Sequence, residues 1–414
     1  MMRILMLSQF FPPIIGGEER HVKVLSEALV RRGHEVSVAT IRQGDQPEVE
    51  VEAGVTIHRL QGSLQRNAGL FSESQRRHAP PFPDPELMFR LNRIVRAEQP
   101  DVVHAHNWLL HSYLPLQRIY KKRLVVTLHD YGSVCAKKNM IRQGLPCSGP
   151  APFKCLPCAG QHYGGVKGAV TWLTNASLGR MGLGQVDAFI AVSQAVATRC
   201  GLDPRFDQFE IIPTFLSDDV GQLADGHGER LDLLPKSDFL LFVGDLMRLK
   251  GVHTLLEAYR RIEAAPPLVL IGRHCKDTPA SLPKNVTVLN SWPHAAVLHA
   301  WSRCLFGIVP SEGLETCGTV VMEANAFGKP VVACRTGGLS ETVLDGKTGI
   351  LVPPGDVEAL RHALLTMLQD HSLRARLGAA SLIHAGAYMT KAVVPRIERI
   401  YEGSTSMSAA GGRQ

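Results

Sequence analysis

The segment Pro310-Ser311-Glu312-Gly313-Leu314-Glu315-Thr316-Cys317-Gly318-Thr319-Val320-Val321-Met322-Glu323 places two of its three carboxylates, Glu315 and Glu323, on either side of Gly318. An apolar run ends at Pro310 and helical spacing begins near Thr319, so the segment reads as strand end, loop and helix start. Free N–H groups and the positive dipole end at Thr319 suit an anion, and Gly318 lets a phosphate approach the backbone. Glu323, about one turn into the helix, is placed to accept hydrogen bonds from ribose hydroxyls, as acidic residues do in dinucleotide sites. Glu315, in the loop, is placed to meet a sugar. A capped helix with two solvated glutamates is the plain alternative for this segment alone.

A second such segment, Val243-Gly244-Asp245-Leu246-Met247-Arg248-Leu249-Lys250-Gly251, turns backbone N–H groups, Arg248 and Lys250 toward an anion. Gly272 and Trp292 follow two further strands where a nucleobase would lie, although a tryptophan in such a loop more often packs than stacks. Near the N-terminus Gly16 and Gly17 follow the first strand, although paired glycines are also common turn formers. His129 ends another strand, and His104, His106, His111 and Ser193 stand at or near strand ends, where they would line an acceptor pocket. Of nine cysteines, Cys135, Cys147, Cys155 and Cys158 crowd one stretch after His129. Four thiolates would make a closed structural zinc set, with free thiols as the alternative; the other five cysteines read as core fillers.

Residues at such positions need strands that end together and helices that start together. Strand patterns at 3–8, 35–40, 101–106, 124–129, 188–193 and 210–213 alternate with helical patterns at 18–32 and 85–98, and Gly33 ends the first helix. After a polar stretch at 217–238 the pattern restarts. Strands at 239–244, 268–272, 286–289, 305–310 and 330–333 alternate with helices at 251–261, 295–302, 319–327 and 357–369. Near-continuous apolar strands joined by helices predict two doubly wound parallel sheets, which bind ligands in the crevice at the carboxyl ends of their strands. The tail from Ser404 has no apolar period and is expected to be disordered.

At 414 residues the chain is too long for one core and suited to two domains. Its 45% hydrophobic and 20% charged content is that of a globular protein. No apolar run is long enough to span a membrane, and the first ten residues read as a strand rather than a signal peptide, so a cytoplasmic location is expected. The net charge of +7 admits phosphorylated small molecules or peripheral contact with an anionic membrane. With 6% aromatics and no basic stretch interleaved with them, nucleic acid is not an expected partner.

The run from Glu315 through Glu323, Ala324-Asn325-Ala326-Phe327-Gly328-Lys329-Pro330, Thr336-Gly337-Gly338 and Thr348-Gly349 closely resembles glycosyltransferase family 4, whose members have the GT-B fold. The resemblance covers almost the whole chain, to about Gly403, and implies two Rossmann-like α/β domains facing a cleft. These would be 1–216 for the acceptor and 217–387 for the nucleotide sugar, with 388–403 as a helix crossing back to the first domain, followed by the 404–414 tail. It implies a retaining glycosyltransferase of the hexosyltransferase type, in glycan biosynthesis, that takes an NDP-sugar to a glycan, a lipid-linked acceptor or a small molecule.

By the same resemblance Glu315 contacts the donor sugar, Glu323 the ribose, Lys250 the diphosphate and His129 the transferred sugar, while Gly16 and Gly17 lie against the donor. No Asp-x-Asp motif stands out, so no metal or other cofactor is expected in catalysis. Same-face attack, with the leaving phosphate taking the acceptor proton, is what the family suggests. Two departures stand out: Asp245 where the family has a diphosphate-binding arginine, and Cys317 where it has an aromatic. A nucleotide-sugar epimerase and a catalytically weak sugar-nucleotide binder of the same fold are the rival readings.

Overall fold

Apolar runs that alternate with amphipathic helices become buried strands in two separate sheets. The structure is a computed structural model that describes residues 1–403 except 15, 68, 70, 72–75, 204–207 and 225–231, with 178–181 described by backbone alone. The tail from Ser404 and the middle of the 217–238 stretch therefore lie outside the described residues.

The first sheet holds β1 (Arg3–Leu7), β2 (Glu35–Ile41), β3 (Val49–Glu52), β4 (Val55–Leu60), β5 (Val102–Ala105) and β6 (Arg123–Leu128). A two-stranded hairpin of β7 (Ile141–Arg142) and β8 (Leu145–Pro146) follows outside it, and β9 (Ala188–Ala191) and β10 (Phe209–Ile211) complete it. Its order is β10-β9-β6-β5-β1-β2-β4-β3, parallel except for β3 at the edge. The second sheet holds β11 (Leu240–Val243), β12 (Leu268–Ile271), β13 (Val286–Leu289), β14 (Phe306–Val309), β15 (Val331–Cys334) and β16 (Gly349–Val352). It is wholly parallel, in the order β13-β12-β11-β14-β15-β16. In both sheets the strand order reverses beside the first strand, between β1 and β5 and between β11 and β14. Those are the points where open α/β sheets leave a ligand crevice.

The helix Gly17–Arg31 buries Val22, Leu25 and Leu29 on the first sheet and ends before Gly33, whose φ of 87° is the left-handed geometry of a helix stop. The last helix, Thr390–Tyr401, packs against the same layer. Its Val393, Val394, Ile397 and Ile400 share one core with Ile4, Met6, Leu25 and Val125. Glu398 pairs with Arg32 at 2.7 Å and with His34 at 2.9 Å, and Arg123 donates to the Ile400 carbonyl.

Several elements have no counterpart in the sequence reading. Among these are β3, β4, β7, β8, β16 and the helices Leu109–Tyr120, Pro152–Tyr163, Gly165–Thr174, Gln194–Cys200, Leu339–Thr342 and His371–Ala385.

Candidate active site

The two switch points face each other, and a helix starts from each side. Helix Gly17–Arg31 begins after β1 and helix Thr319–Ala326 after β14. A Cβ added to Gly17 would lie 3.9 Å from Thr319 Oγ1, so the Gly16-Gly17 loop looks directly at the opposite helix start. Thr214 Oγ1 bridges the same place, 3.2 Å from Thr319 Oγ1 and 3.2 Å from Cys317 Sγ. Gly318 holds φ at 85°, and a Cβ there would strike Leu339 at 2.6 Å, so only glycine opens this helix end. Two positive helix ends thus converge on one gap, an arrangement that favours a polyanion.

Lys250 and Glu315 meet beside it. Lys250 Nζ lies 2.6 Å from Glu315 Oε1, and Ser311 Oγ donates to the same oxygen at 2.6 Å. Burial alone would raise the Glu315 carboxyl, but Lys250 and Ser311 outweigh it and hold the carboxyl below its usual range. For Lys250, burial pulls down while Glu315 and Asp245 win and push it up, so both groups stay charged. Their loops are pinned together. Glu312 and Gly313 donate to the Leu249 carbonyl, and Gly251, with φ at 74°, sits so close that a Cβ would lie 1.9 Å from the Pro310 oxygen.

Glu323 is 2% exposed. Its Oε1 accepts from Arg20 at 2.9 Å and pairs with His294 Nε2 at 2.8 Å, and its Oε2 accepts from Trp301 Nε1 at 3.2 Å. Burial would raise this carboxyl, yet His294, Arg20 and Trp301 together hold it down at about 2. Arg20 belongs to the first domain, so this ion pair ties the two halves across the cleft.

At the family's arginine position, Asp245 is gripped by Arg273 through two hydrogen bonds of 3.0 and 2.8 Å. A guanidinium is thereby restored beside the loop from a neighbouring strand end, although the aspartate neutralises it. Arg248, considered as the substitute, is exposed, and its backbone N–H is held by Asp277. Gly272 belongs to the floor, where a Cβ would lie 1.8 Å from the Gly244 oxygen. Trp292, expected near the base, is 7% exposed and packs in the core with Ala296 and Trp301, so it is a packing residue and offers no face for stacking.

On the first domain His129 shares a 3.0 Å hydrogen bond with His106, and His21 stands 4.7 Å from the His129 ring. Burial lowers His21 and His104 to about 3 and His106 and His129 well below the usual range, so the cluster is neutral. Both ring nitrogens of His21 and Nε2 of His106 lack hydrogen-bond partners among the described residues. His106, His111 and His129 line a cavity of about 40 Å³ with Asp130, Lys138 and Asn175.

His104 does not reach that cavity, because its nitrogens are held by Tyr401 and Thr127 at 2.7 Å each. Ser193 is likewise occupied, its hydroxyl capping the helix Gln194–Cys200 by accepting from Val196 N–H at 3.1 Å. The acceptor-side expectation is corrected for these two residues, since their polar atoms are consumed within the fold. Accordingly Ser193→Ala should cost about 1 kcal/mol of stability in a denaturant melt while leaving the acceptor KM unchanged.

Sequence reasoning missed Glu18, Arg20, His21 and His294. Glu18 lies in the first turn of its helix and accepts from Asn107. Burial, then Glu19 and Asp130, raise its carboxyl to about 8, which leaves it protonated at neutral pH. The helix 18–32 was legible, but which of its turns faces the cleft depends on the sheet beneath it.

The four clustered cysteines line a single cavity of about 30 Å³. Among the described residues, however, the group of three or more ligand atoms within 4.8 Å of one another is His21, His106 and His129, not the thiols. The tetrathiolate set is therefore not assembled. Cys147 Sγ is turned to the Gly149 carbonyl and Cys155 Sγ to the Ala151 N–H instead.

The family model described as Glycosyltransferase Family 4 matches residues 15–219, and that described as Glycosyl transferases group 1 matches residues 229–382. Over 402 residues the chain is 27% identical to a D-inositol 3-phosphate glycosyltransferase of Pseudarthrobacter chlorophenolicus, covering 89% of this chain and 86% of that one. It is 26% identical to a glycogen synthase of Mycobacterium tuberculosis, covering 92% and 89%. Among solved structures it resembles sucrose-phosphate synthase from Thermosynechococcus elongatus, with a TM-score of 0.72, 21% identity and coverage of 97% and 99%. It also resembles Anabaena HepE in complex with UDP-glucose, with a TM-score of 0.68, 18% identity and coverage of 97% and 100%.

Proposed function

Because the chain belongs to glycosyltransferase family 4 and has the GT-B fold, we propose that it transfers a sugar from a nucleoside diphosphate donor to an acceptor, with retention at the anomeric carbon and without a metal ion. The bond from that carbon to the diphosphate breaks, the acceptor oxygen bonds on the same face, and its proton passes to the departing phosphate. The diphosphate lies between the helix starts at Gly17 and Thr319, where the fixed dipoles and Lys250 take up the developing charge. Glu315 faces the sugar, Glu323 the ribose, and His129 the sugar from the first domain. The observation that carries this reading is the Lys250–Glu315–Ser311 contact, which holds a charged ammonium between the loops that follow β11 and β14.

The UDP-glucose bound in the HepE complex is the first compound to try. The protein is incubated with UDP-, GDP- and ADP-sugars in turn, with EDTA present, while nucleotide release and product anomer are followed. Release from one donor with the anomer retained is expected; an inverted product or a strict metal requirement would overturn the mechanism. The sugar-nucleotide binder is a second reading, favoured by the neutralised Asp245–Arg273 pair. Binding without release, with acceptors supplied, would select it.

A further inference from the structure

Helices Pro152–Tyr163 and Gly165–Thr174 form a hairpin on the first domain. They cross so closely that a Cβ on Gly168 would lie 2.3 Å from the Ala159 oxygen. The contact uses small residues, which leaves the large apolar ones outside. Phe153 is 97% exposed and Val166 82%, and Leu156, Val170 and Leu173 are exposed as well. Positions 153 and 156 share one helix face, and 166, 170 and 173 share another. Exposed apolar side chains normally occur singly, so this concentration between 153 and 173 forms a patch.

The segment that carries it has charge of one sign. From Tyr131 to Val186 there is no Asp or Glu, whereas Lys137, Lys138, Arg142, Lys154, Lys167 and Arg180 all fall there. A hairpin that exposes apolar side chains and carries only cations of its own complements a surface that is apolar beneath an anionic layer. We propose that this hairpin docks the protein onto an anionic lipid bilayer, with Phe153, Leu156, Val166, Val170 and Leu173 at the acyl boundary and Lys154 and Lys167 against lipid phosphates. Lys167 already lies along apolar surface, its ammonium 5.8 Å from the Phe71 ring and 5.9 Å from the Tyr163 ring. Lys154 donates to Ser148 Oγ at 2.8 Å, an exposed contact that a phosphate can replace. Among the described residues no helix is long and apolar enough to cross a membrane, so the contact is with the surface.

The chain continues from the second helix into Asn175, which lines the cavity shared by His106 and His129. Docking would set that cavity at headgroup level, where a lipid-linked acceptor presents its sugar. This last step rests on the transfer reading above, whereas docking itself does not.

The test is co-sedimentation of the full chain with vesicles of phosphatidylcholine alone and of phosphatidylcholine mixed with phosphatidylglycerol, with gel filtration in parallel. Binding to the mixed vesicles, weakening with salt, is expected. Lys154→Ala and Lys167→Ala should each lower the partition coefficient roughly fivefold. Phe153→Ser combined with Val166→Ser should abolish binding to both vesicles, and Leu173→Ser repeats the test as a single change should the double variant not fold. Retained nucleotide binding verifies folding of each. No binding to mixed vesicles, or binding these changes leave intact, would overturn the proposal. So would self-association that Phe153→Ser abolishes, which would assign the face to a second copy.

Discussion

Lys250→Ala should lower the rate of nucleotide release by roughly 10²–10³-fold, the scale seen when one donor to a developing oxyanion is removed. The loss should appear in kcat more than in the donor KM, because the charge on the leaving diphosphate grows in the transition state. A second effect follows from the partner. Glu315 keeps its low proton affinity through Lys250 acting first and Ser311 second against burial. Without the ammonium, burial prevails and the carboxyl rises. Wild-type Glu315 is ionised throughout the neutral range. The variant's residual activity should therefore acquire an acid limb displaced toward neutral pH. Lys250→Arg keeps the charge and should retain the wild-type limb even if its fork fits poorly. A variant rate within about threefold of wild type would remove Lys250 from the chemistry.

Glu323→Gln should change how stability depends on acid. The carboxyl is held at about 2 against an ordinary 4.5, because His294, Arg20 and Trp301 outweigh burial. Between those values the unfolded chain binds the proton and the folded one does not. The stabilisation is thus fully present above pH 4.5 and is lost as pH falls toward about 2. For a group so deeply buried the shift corresponds to roughly 3 kcal/mol. The glutamine variant should be less stable by a comparable amount at neutral pH and show a shallower decline through that window, read from urea midpoints at several pH values. Parallel declines would mean that Glu323 gains nothing from its partners. The same variant should bind donor more weakly, since the amide cannot accept two ribose hydroxyls as a carboxylate does.

The readable parts of the sequence were those where local chemistry and global position agree. Strands such as β11 and β12 are short unbroken apolar runs, and the loops after β11 and β14 carry glycines required by a backbone contact at Gly251 and by a left-handed φ and the Leu339 side chain at Gly318. The β3–β4 hairpin was hidden because its turn is Ala53-Gly54, with both φ values positive, instead of the Asn-Gly or Asp-Gly that marks such turns. The helices Leu109–Tyr120 and Pro152–Tyr163 each contain an internal proline, which reads as a break although flanking contacts carry the helix through. At the site, Glu315, Glu323 and Lys250 lie near loops of recognisable pattern. Arg20 and His294 reach Glu323 from elements remote in sequence, which no local pattern encodes. His104 and Ser193 had the right positions at strand ends, but Tyr401, Thr127 and the helix Gln194–Cys200 claim their polar atoms.

The last helix has a consequence for biosynthesis. Residues 1–216 leave the ribosome long before Thr390–Tyr401 is made, and domains generally fold in the order of their synthesis. Here the first sheet must wait with Ile4, Met6, Leu25 and Val125 uncovered until the final turns supply Val393, Val394, Ile397 and Ile400. A chain stopped just after the second sheet would carry every cleft residue named above and still leave that face bare. The final helix therefore serves as a completeness signal: only a chain translated through Tyr401 can close its first core.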